Sequence, residues 1–153
     1  MAQALLVTTL LTIVGLIATI FVGYTARTGA DIGNHILLAL ATTVIGLFSQ
    51  SMTLFFFIGT GKEIKDKAKG ARDERDVVGN TRAFKNKVFP AALYAMLMLG
   101  VTFILGGGVH MGKVPSWLHQ ILAFASLALY ARAYWIELQA MVENAKLMER
   151  FLR

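Results

Sequence analysis

The side chains best suited to chemistry in this chain are its only three histidines, His35, His110 and His119; it has no cysteine. Without cysteine there are no thiolate ligands, thiol nucleophiles or disulfides to consider. His35 and His119 are each followed four residues later by an alanine, Ala39 and Ala123. On a helix this places a small side chain one turn from each imidazole. Two imidazoles facing across a helical bundle, with space beneath them, make a slot for a b-type haem, the protein supplying axial nitrogens and a low-dielectric wall. Arg27 and Lys113 are then candidate partners for the haem propionates. With His110 added, the three imidazoles make a set suited to Zn²⁺ or Cu²⁺. A third reading needs no cofactor, because histidines at helix ends also serve as simple hydrogen-bonding residues. None of these spacings is a specific motif, and the sequence leaves all three readings open.

Gln50, between Ser49 and Ser51, suits either a hydrogen bond between helices, worth about 0.6–2 kcal/mol, or a contact to a quinone head group. Hydrolase, zinc-protease and nucleotide-binding signatures are absent, and Gly59-Thr60-Gly61-Lys62 lacks the spacing of a phosphate-binding loop. No catalytic residue is therefore expected, and the most that is expected of the chain is an electron-transfer role within an oxidoreductase.

The elements that position these residues follow from where charge is missing. Of 153 residues, 56% are hydrophobic and 16% charged, against about a quarter charged in soluble domains. Uncharged stretches run over residues 2–26, 32–61, 88–112 and 114–131. About 20 apolar residues in a helix cross a hydrocarbon core, and in lipid the backbone must satisfy its own hydrogen bonds. Four transmembrane helices are predicted, near 3–24, 34–59, 89–107 and 116–136, in a single all-α domain. The first lacks a basic leader and is too long for a signal-peptide core, so it reads as a retained helix.

Lysine and arginine orient the bundle. Nine lie between residues 60 and 89, and Arg132, Lys146, Arg150 and Arg153 fall on the same side, leaving Arg27 and Lys113 on the other. The positive-inside rule puts both termini and the central connection in the cytoplasm, as expected for a bacterial inner-membrane protein. The net charge of +6 is thus a topology signal. Nucleic acid is not an expected partner, since no aromatic residues alternate with the basic run.

Small and polar residues draw one seam along each span: Thr8, Thr12, Gly15, Thr19 and Gly23; His35, Ala39, Thr43, Gly46, Gln50 and Thr53; Ala91, Ala95, Met98 and Thr102; His119, Ala123, Ser126, Tyr130, Ala133 and Glu137. Such seams predict a four-helix bundle. Lys62–Val78 reads as a helical extension of the second span, stopped by Gly79-Asn80, and Gly106-Gly107-Gly108 as the end of the third. Residues 137–153 extend the fourth helix, with Leu138, Met141, Val142, Ala145, Met148 and Leu152 on one side. These amphipathic extensions pack on each other, dock a partner or lie on anionic lipid. Arg132 and Glu137 read as interfacial, which leaves no acidic or basic residue at mid-membrane and argues against a proton pump or ion-coupled transporter; a channel or transporter stays as the weaker alternative. No internal repeat is evident. The functional expectation is a small structural or docking subunit of a larger inner-membrane complex, the alternative being a quinone-linked subunit with haem between His35 and His119.

Overall fold

The computed structural model describes residues 1–152; Arg153 and the side chains of Phe151 and Leu152 lie outside the described residues. Four helices account for the fold: α1 (Ala2–Thr25), α2 (Gly29–Ala68), α3 (Glu74–His110) and α4 (Ser116–Leu152). All four are long and apolar enough to cross a membrane. Each packs against its neighbours in chain order, α4 closes the ring against α1, and α2 touches α4 across the diagonal.

The interior and exterior are inverted relative to a water-soluble bundle. Thr9, Thr12, Ser49, Gln50, Thr53, Ser126 and Glu137 are buried, while Val7, Leu11, Phe21, Leu37, Phe48, Leu97, Ile104 and Ile121 are exposed. Hydrocarbon outside the bundle accounts for this arrangement, because apolar side chains gain nothing by leaving lipid whereas polar ones gain hydrogen bonds by facing each other. The predicted seams are buried through the middle of the bundle and open toward the outer end, where His35, Ala39, His119 and Ala123 are half-buried and Gly23 is exposed. At the middle of the bundle Ala91, Ala95, Leu99, Tyr130 and Ala133 pack with Leu16. Of the Phe55-Phe56-Phe57 run, expected to face lipid, Phe55 does so and Phe57 is buried in the inner core.

The boundaries differ from expectation in two places. The second helix stops at Ala68, and the chain turns through Gly70 at a φ of 81°, a backbone region that glycine enters without a Cβ penalty. Gly79 and Asn80 lie inside α3 instead of ending a helix. The added turns of α3 seat Val77 on Ile64 and Ala68, with Leu147 and Met148 of α4 packed against them. Tertiary packing thus overrides the local stop signal. The helical extensions pack on one another through Ile64, Ala68 and Val77 with Leu147 and Met148, but of the side expected to be apolar on α4 Val142 and Ala145 are exposed while Asn144 is buried. An Arg150–Asp73 ion pair of 2.6 Å ties α4 to the inner turn. At the outer end α3 runs through all three glycines to His110 and turns at Gly112, φ 69°.

Candidate histidine site at the outer end of the bundle

The α1–α2 hairpin is set by a capping box. Thr28 Oγ1 accepts from the Asp31 backbone N–H at 3.2 Å, while Asp31 Oδ2 accepts from the N–H groups of Thr28 at 2.9 Å and Arg27 at 3.0 Å. These bonds hold the Asp31 carboxyl below the usual carboxylate range, the Arg27 amide contributing most. The cap starts α2 at Gly29, six residues before His35, and so places that imidazole opposite the last turns of α1.

His35 Nδ1 lies 3.1 Å from the carbonyl of Thr19, as the outer nitrogen of a ligating histidine ordinarily does, leaving Nε2 for a ligand. Its ring occupies the space that Gly23 leaves open: a Cβ there would come within 2.8 Å of Cε1. On the other side of the bundle His119 stands against Gly106, where a Cβ would approach Cε1 to 2.9 Å. The backbone of Thr102 faces His119, although the buried His119 Nδ1 closes no hydrogen bond. The two imidazoles meet across the α2–α4 diagonal with ring centres 6.3 Å apart and planes at 86°.

The two hairpins build this site in the same way. One reads Thr19-x₃-Gly23 followed by His35-x₂-Leu38-Ala39-x-Ala41-Thr42; the other reads Thr102-x₃-Gly106 followed by His119-x₂-Leu122-Ala123-x-Ala125-Ser126. Below each imidazole the hydroxyls pair, Thr19 with Thr42 at 3.4 Å and Thr102 with Ser126 at 2.8 Å. Each threonine also donates to the carbonyl four residues back, Gly15 and Met98, at 2.7 Å. This is an internal repeat, contrary to expectation. Its sequence signal is present but weak, because the matching residues are small and sit among other apolar ones.

Around the pair lies a cavity of about 450 Å³ walled by Ile20, Ile32, Ile36, Phe103 and Phe124, with Ala39, Ala123 and Thr43 deeper in. A volume of this order suits an organic cofactor or ligand. Tyr24 donates to Gln120 at 3.2 Å across its mouth. His110, in the last turn of α3 instead of a loop, lines the same cavity. Even so, no group of three or more His, Cys, Asp or Glu residues is placed to hold a metal ion among the described residues. Arg27 and Lys113 are exposed beside the mouth and line none of it. Gln50 lies deeper, fully buried and outside this cavity. Thr19, Gly23, Thr102 and Gly106, which shape the site, fell on or beside the predicted seams but were not expected to touch the histidines. Compared with known proteins, the chain matches no protein-family model, no curated sequence and no solved structure.

Proposed function

We propose that this chain is a b-type haem subunit that carries electrons within a larger complex of a bacterial inner membrane, with His35 and His119 as axial ligands. The observation that supports it is the 6.3 Å spacing of the two ring centres. Two facing imidazoles at this spacing would leave room for a haem held between His35 and His119. The apolar cavity around the pair supports a macrocycle over a bare ion, which would need a third protein donor. Haem, when bound, supplies one-electron chemistry. The chain's part is to fix both imidazoles by Gly23, Gly106 and the Thr19 carbonyl, to exclude water, and to offer Arg27 and Lys113 at the rim as propionate partners. The absence of a catalytic constellation makes partner proteins necessary, and a site within the bilayer suits quinone as the mobile carrier.

The test is the absorption spectrum of the protein purified in mild detergent and titrated with haem. A Soret band that shifts on reduction, lost in His35→Ala and in His119→Ala, is the expected result. A folded protein that stays colourless and takes up no haem overturns the reading.

A further inference from the structure

The inner half of the bundle holds a second polar centre. Glu137 is fully buried, and neither ion pair among the described residues includes it. Helical side chains lean toward the N-terminus, so the Glu137 carboxyl reaches back from the inner boundary into the bundle. There Oε2 lies 3.3 Å from Thr9 Oγ1 on α1. Gln50 of α2 faces the same carboxyl, and Tyr130 lies two turns outward on α4. No charged side chain of α1, α2 or α3 pairs with it.

The hydroxyls around the carboxyl are short of protons. Thr9 Oγ1 lies 2.9 Å from Ser49 Oγ and 3.1 Å from the Leu5 carbonyl; Thr8 Oγ1 lies 3.0 Å from Ser49 Oγ and 2.9 Å from the same carbonyl. With the Glu137 contact, these are five contacts served by three hydroxyl protons, since each hydroxyl has one to give. An ionised carboxylate only accepts; a carboxylic acid adds the fourth proton. Glu137 Oε1, both polar atoms of Gln50, Thr53 Oγ1 and the Tyr130 hydroxyl are also buried without partners. Such a cluster is where a protein interior holds exchangeable protons and ordered water.

At its inner end the cluster borders the apolar side chains of Leu5, Phe57, Phe84, Val88 and Met141. Toward the outside, the Tyr130 hydroxyl sits at Gly46, beside Thr12 and Leu99, and Leu99 lines the histidine cavity. We propose that Glu137 is a proton-binding site inside the bundle, loaded and unloaded from the outer cavity through the Tyr130 hydroxyl. On release the Glu137 O–H bond breaks and the proton passes to a neighbouring water. Tyr130 accepts a proton on one side as it gives its own on the other, and a hydronium leaves by the cavity. The carboxylate left behind accepts from Thr9, and no electrons move. The site rests on its own geometry and stands whether or not the histidines hold haem.

Infrared spectroscopy of the full chain in lipid nanodiscs tests this, at about pH 8, where exposed carboxyl groups are ionised. The expected result is a protonated-carboxyl C=O band that shifts in D2O, disappears in Glu137→Gln and moves in Glu137→Asp. Tyr130→Phe retains the band but slows its deuterium exchange by about tenfold or more, the hydroxyl relay being broken. A wild-type spectrum without the band, a band that never shifts in D2O, a band unchanged in both Glu137 variants, or wild-type exchange in Tyr130→Phe overturns the proposal. The wild-type measurement in D2O decides the point even if Glu137→Gln does not fold.

Discussion

Gly23 lies directly against the His35 imidazole, so closely that a Cβ at position 23 would stand 2.8 Å from Cε1 and 3.0 Å from Nδ1. Gly106 stands in the same relation to His119, whereas Gly107, one residue on, has nothing within 4 Å of its Cβ position. Gly23→Ala and Gly106→Ala are therefore expected to cost about 1–3 kcal/mol by overpacking and to lower haem content. Gly107→Ala serves as the control and should leave both unchanged. Haem-to-protein ratio and thermal unfolding in detergent measure the two effects separately.

The hydroxyl pair beneath His119 makes a second prediction. Thr102 and Ser126 are 2.8 Å apart and both buried, so they hold α3 to α4 where lipid offers no competing donor. A double-mutant cycle with Thr102→Val and Ser126→Ala should give a coupling of about 0.6–1.7 kcal/mol. A coupling near zero, read from unfolding in mixed micelles, would remove this bond from the forces that position His119.

Acid should loosen the outer α1–α2 turn. Asp31 is held below its ordinary range by the backbone N–H groups of Arg27 and Thr28. A depressed carboxyl contributes stability that is fully present above its unfolded value, about 3.9, and is lost as the pH falls through its folded value. Amide exchange at Arg27 and Thr28 is expected to accelerate over that acidic window, beyond the intrinsic change with pH. In Asp31→Asn the extra acceleration should disappear.

Topology is open to a direct check because the chain has no native cysteine. The charge pattern puts the α2–α3 turn inside and the α3–α4 turn outside. Lys69→Cys in sealed, right-side-out vesicles should resist a membrane-impermeant thiol reagent until the bilayer is opened. Gly112→Cys should react at once. Equal accessibility of the two positions would contradict the bundle's placement across a membrane.

How much of this was legible beforehand depended on which physical rule governed each residue. The seams were readable because lipid leaves small and polar residues as the only reason for helices to meet, and Thr12, Gly46, Gln50, Ser126 and Tyr130 are buried as their spacing implied. The inner turn was misplaced because Gly79 and Gly70 look alike in sequence, while only Gly70 takes a positive φ. Gly106 looked like a helix end for a similar reason. In the fold it is a helical residue whose missing side chain makes room for His119. Glu137 was expected at the interface because counting residues gives the depth of its Cα, whereas the carboxyl reaches inward. The pairing of His35 with His119 followed from depth and seam alone. Their 6.3 Å separation did not, since it depends on how closely α2 and α4 approach across the diagonal.

The central claim is that His35 and His119 ligate one haem from opposite faces, and the spin state of the oxidised iron tests it most directly. Electron paramagnetic resonance of the haem-loaded wild-type protein should show six-coordinate, low-spin iron, converting to high-spin iron when either histidine is replaced by alanine. A high-spin wild-type signal, or a low-spin signal that survives in both single variants, would contradict it.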